Sequence, residues 1–110
     1  MNRREFIGVA GAAAVLPIPS ADGIVLFDAR YGCSRDFAAH SGFIALSTNR
    51  DVVRLWFENE SLRRARQVAG VTPHSDFEIV QRLLKGKRLI SCEAVRATDR
   101  PATLVSWHFA

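Results

Sequence analysis

The run GIVLFDA (residues 23–29) decides how the chain is read. Ile24, Val25, Leu26 and Phe27 follow one another with no polar residue between them, so neither face of the segment is left for solvent. A short continuous apolar run of this kind is a strand buried on both sides, not a half-exposed alternating one. Burial on two sides requires covering elements, and the segments that follow supply them. Ser34 is placed to cap a short helix running to Ser41, with Asp36 in its first turn and Gly42 at its stop. FIALST (43–48) is a second buried strand, after which Asn49 or Asp51 starts a helix over about 51–66. Val52, Leu55, Trp56 and Leu62 recur there at helical spacing, with Val53 and Phe57 widening the stripe.

QVAGVT (67–72) reads as a third strand, weakened by Gly70. Ser75 then caps a helix with Phe77, Val80 and Leu84 on its buried face, Lys85 in its last turn and Gly86 at its stop. KRLISCEAVRA (87–97) and PATLVSWHF (101–109) are two strands joined too closely for anything but an antiparallel hairpin. On the second, Val105, Trp107 and Phe109 share one face and are expected in the core. The order β-α-β-α-β-α-β-β predicts a small three-layer α/β sandwich with a mostly parallel sheet and a C-terminal antiparallel hairpin. Its last strand is expected on an edge. The nearest architectures are flavodoxin-like or Rossmann-like.

Ahead of this domain stands MNRREFIGVAGAAAVLPIPSA (1–21). Its apolar stretch from Phe6 to Ile18 is too short to span a bilayer core, contains Gly8 and Gly11, and is closed by Pro17 and Pro19. A charged start, a short apolar centre and a small-residue end is the layout of an export signal. Arg3, Arg4 and Phe6, with Ile7 in place of leucine, resemble the twin-arginine (Tat) signal, whose usual form is Ser/Thr-Arg-Arg-x-Phe-Leu-Lys. Asn2 and Gly8 depart from that form. The resemblance implies recognition by the Tat export machinery and a periplasmic or otherwise extracytoplasmic destination. It also implies passage through the membrane already folded, in many cases bound to a cofactor or a partner.

The remaining residues, 22–110, make one small domain. The chain has 110 residues and a net charge of +4, of which +3 stays with that domain. Arg63, Arg64, Arg66, Lys85, Lys87 and Arg88 lie at two helix ends without interleaved aromatics. They read as dipole partners that can also dock an acidic partner protein or anionic lipid, and not as a nucleic-acid surface. No transmembrane span is expected in the mature chain. His40, His74 and His108 are too widely spaced for a local metal motif, so no metal site is expected and no cofactor is identifiable.

Ligands of open α/β sheets bind beyond the carboxyl ends of the strands, where strand order reverses. Here that point brings the loops DARYGCSR (28–35) and TPHS (72–75) together. Arg30, Ser34, Arg35 and Ser75 are the candidate anion-binding residues. Cys33 and His74 are the candidate catalytic pair, with the thiol activated by the two arginines and a helix start and the imidazole as base. Cys33 and Cys92 can instead close a disulfide in an oxidising compartment. No catalytic motif is complete, and the mature domain is short. The sequence is therefore read as an exported accessory or ligand-binding protein, partnered with a larger redox enzyme, and the alternative is a compact enzyme using Cys33 and His74.

Overall fold

The computed structural model describes residues 20–110; the twin-arginine motif and its apolar run lie outside them. Strand β1 (Ser20–Phe27) is followed by helix α1 (Gly32–His40) and strand β2 (Phe43–Ser47). Helices α2 (Val52–Glu58) and α3 (Glu60–Arg64) lead to strand β3 (Gln67–Thr72). Helix α4 (His74–Leu83) and strands β4 (Leu89–Arg96) and β5 (Thr103–Phe109) complete the order. β1 starts within the segment assigned to the signal: Ser20 pairs with Phe43, and after a register shift Ile24 pairs with Ile44, while Gly23 pairs with Gln67 on the other side.

The five strands lie in the order β2-β1-β3-β5-β4. This corrects the mostly parallel, flavodoxin-like or Rossmann-like sheet expected from the sequence. The pairs β1–β2 and β1–β3 are parallel, whereas β3–β5 and β5–β4 are antiparallel, so the sheet is mixed. The last strand is not at an edge. β5 turns back from the hairpin and inserts between β3 and β4, leaving β4 outermost. Burial is the physical reason: Leu104, Val105, Trp107 and Phe109 are all buried, whereas β4 keeps Leu89, Ile90, Cys92, Glu93 and Ala94 exposed. The more apolar strand takes the interior position, where both of its faces and both of its edges are covered.

Among the described residues four helices stand where three were expected. Asn59 adopts an extended conformation and its side chain accepts the Leu62 amide at 2.9 Å, ending α2 and capping α3. Asparagine in mid-helix offers the backbone this local alternative, and here it prevails over the helical stripe. Asp51 caps α2 as expected, accepting from the Arg54 amide. Neither Ser34 nor Ser75 is a cap, because α1 begins after Tyr31 and α4 after Pro73.

The main core lies between one sheet face and α2, α3 and α4. Ile24, Leu26, Val68, Val105, Trp107 and Phe109 pack there against Val52, Leu62, Phe77 and Val80. α1 packs on β1, β2 and β3 and contributes nothing to that cluster, so it covers the other face. Trp107 crosses β3 at Gly70, where an added Cβ would lie 2.6 Å from its ring and 2.7 Å from the Leu26 carbonyl oxygen. Its indole N–H donates to Thr72 Oγ1 at 2.9 Å, so the polar end of the largest core side chain is satisfied. Among the described residues no helix is long and apolar enough to cross a membrane.

Candidate functional site

The parallel strands β1, β2 and β3 end on the same side of the sheet, and their loops form a polar rim there. Asp28, the first residue after β1, is 2% exposed. A buried carboxylate needs a partner, and Arg30 provides one through a two-pronged contact. Arg30 Nε donates to Oδ1 at 2.9 Å and one Nη donates to Oδ2 at 2.6 Å, while the Arg30 amide also reaches Oδ1. Burial alone would raise the Asp28 carboxyl. The hydrogen bonds and charge of Arg30, with the charge of Arg50, more than reverse this and hold it below the ordinary aspartate range. Asp76, in the first turn of α4, goes the other way: burial and the nearby Asp28 charge raise it, against Arg30.

Two guanidinium groups lie over the Tyr31 ring, Arg30 at 5.4 Å and Arg100 at 5.3 Å from its centroid. Arg100 belongs to the β4–β5 turn and also donates to the Arg30 carbonyl at 3.3 Å. From the same turn, Asp99 accepts the Gly32 amide at 2.9 Å. The amide that opens α1 is thus satisfied by the protein's own carboxylate.

The candidates named from sequence separate into different roles. Ser34 is fully buried and cross-links the fold: its hydroxyl donates to the Val71 carbonyl at 2.5 Å and accepts the Asp28 amide at 2.8 Å. Arg35 turns back to the Ala29 carbonyl, and Ser75 is exposed. Cys33 begins α1, but its thiol is pushed up, first by burial and then by the charges of Asp99 and Asp36. Neither Arg30 nor Arg35 is among the groups that shift it: Arg30 is paired with Asp28, and Arg35 donates to the Ala29 carbonyl. His74 is 68% exposed and faces Glu78, one turn along its own helix, at 3.6 Å. Cys33 and Cys92 are free thiols, the first at the start of α1 and the second on β4. Among the described residues no cluster of His, Cys, Asp or Glu could hold a metal ion.

The cleft at this rim lies between the β1 and β2 loops, one strand away from the expected β1–β3 junction. Its volume is about 170 Å³, and it is lined by Asp28, Ala29, Arg30, Ser47, Asn49 and Arg50. The wall from β2 is a tight turn, Thr48-Asn49-Arg50-Asp51, closed by the Asp51 amide donating to the Thr48 carbonyl at 2.9 Å. Asn49 and Arg50 both have positive φ, 49° and 63°, the pattern of a type I′ turn. Asparagine tolerates that conformation, but the second position normally takes glycine. The sequence signal for this wall was present. Once 43–48 is read as a strand beside β1, the loop after it must share the rim.

Comparison of the chain with protein families, curated proteins and solved structures finds no match.

Proposed function

We propose that this chain is a small binding protein, exported by the twin-arginine route and working outside the cytoplasm as an accessory to a larger redox enzyme. Its working surface is the cleft between the β1 and β2 loops. The observation that carries the binding role is the composition of that cleft: Arg30 and Arg50 in its wall, with Ser47 and Asn49 beside them. Polar groups converging on a concavity at the carboxyl ends of parallel strands are what a ligand site requires. The enzymatic alternative draws no comparable support. Cys33 has a raised thiol with carboxylates near it, and His74 is turned to Glu78.

Two measurements test this reading. In fractionated cells the native chain is expected as a shortened form outside the cytoplasm, and Arg3→Lys with Arg4→Lys is expected to leave the full-length chain inside. An unchanged distribution removes the export assignment. For binding, a panel of small anionic and neutral molecules is screened by amide chemical-shift changes on the processed protein. Ligands are expected to perturb residues 28–30 and 47–50, and to do so equally in Cys33→Ser.

A further inference from the structure

We infer that the cleft between the β1 and β2 loops is an oxyanion site, gripped by Arg50, that takes the phosphate or carboxylate group of a small molecule. This rests on the binding role proposed above and names the ligand chemistry. The argument begins with the donors left unused. Arg30 commits Nε and one Nη to Asp28, and its remaining Nη carries no hydrogen bond among the described residues. Arg50 is exposed and makes no hydrogen bond or ion pair among them. Its charge acts on Asp28, whose own charge is already matched by Arg30. The residues that line the cleft therefore carry one positive charge in excess, on a planar group suited to a two-oxygen anion, while Asp76, which acts on Asp28 and Arg30, lies outside the lining.

The remaining lining agrees. Asn49 and Ser47 are linked only weakly to each other, at 3.4 Å, so the Asn49 side-chain amide and the Ser47 hydroxyl are free to turn towards a ligand. Backbone conformation supplies a second argument. Arg50 occupies a turn position with φ of 63°, where a side chain is disfavoured and glycine is not. What the fold gains from a long cationic side chain there is the influence of its charge on Asp28, since no hydrogen bond or ion pair of Arg50 among the described residues ties the turn to the rest of the molecule. A ligand-gripping role accounts for an arginine at that position. The site's size also matches: about 170 Å³ admits an anionic headgroup with a few attached carbons, not a large cofactor.

The test is titration of the processed protein with inorganic phosphate and, separately, with acetate. Each titration is followed calorimetrically and by amide shifts for the native chain, Arg50→Gly and Arg50→Lys. At least one anion is expected to bind the native chain at millimolar concentrations, more weakly as salt is raised, and the better of the two identifies the oxyanion source. Arg50→Gly is expected to weaken binding at least tenfold while raising the denaturation midpoint, and Arg50→Lys to bind between the two. Binding by Arg50→Gly equal to that of the native chain overturns the inference, as does failure of both anions to bind. If neutral compounds alone perturb residues 28–30 and 47–50, the oxyanion inference falls while the binding role stands. If nothing perturbs them, both fall.

Discussion

At the scale of single residues, the rim combines groups whose stability effects oppose one another. Asp28 is held below the ordinary aspartate range, so its ionised form contributes stability above the unfolded value of about 4. That contribution is lost as pH falls through the lower folded value. Asp76 is raised, so its linkage has the reverse sign: its contribution is present at low pH and lost as pH rises through its folded value. Asp28→Asn should therefore flatten the acid limb of the stability curve and cost about 2 kcal/mol at neutral pH, by leaving Arg30 without its anion. Asp76→Asn should stabilise the fold at neutral pH, and chemical denaturation across pH 2–8 reads both. Two further residues are misfits for the fold alone. Thr48 is 1% exposed and its hydroxyl has no hydrogen-bond partner among the described residues, so Thr48→Val is expected to stabilise by about 1 kcal/mol. Arg50→Gly, by relieving the positive-φ conformation, should stabilise by a similar amount; a loss of stability in that variant would mean that the side chain holds the turn.

Among the elements, β5 and its contact with β3 organise the sheet. Trp107 fits only because position 70 lacks a side chain, and one of the two atoms that a Cβ would meet is backbone. Gly70→Ala should therefore cost about 3 kcal/mol in a denaturation experiment, the upper range for overpacking. An unchanged midpoint would show that the indole does not cross the strand so closely. In the sequence Gly70 reads only as a weakness of the strand, since a local pattern does not reveal which side chain will arrive from 37 residues away. The placement of β5 was more legible than that. TLVSWHF carries Trp107 and Phe109 and no Asp, Glu, Lys or Arg, whereas LISCEAVR carries Glu93 and Arg96, and the strand without such charges belongs inside. A preference for edge positions of antiparallel strands obscured this difference. Asn59 is a similar case: helical periodicity runs through it, but its side chain caps the following turn, and Asn59→Ala should cost about 1 kcal/mol.

For the molecule as a whole, a sheet that begins with three parallel strands and is closed by an inserted antiparallel one places a single polar rim over β1, β2 and β3. The general location of that rim was readable, because apolar runs followed by polar loops identify the carboxyl ends of strands. Its contents were not. Ser34 and Arg35 look like ligand groups in the sequence, yet they are consumed in joining α1 to β1 and β3. Asp99 and Arg100 come from a turn more than 60 residues away to fix the loop around Tyr31. Asn49 and Arg50 look like ordinary turn residues until the left-handed backbone is seen. The central claim is that the working surface is the β1–β2 cleft and not the Cys33–His74 side of the rim. Amide chemical-shift mapping of the processed protein during a phosphate titration tests it most directly. The largest changes are predicted at residues 28–30 and 47–50, whereas changes centred on Cys33 and His74 would contradict the account.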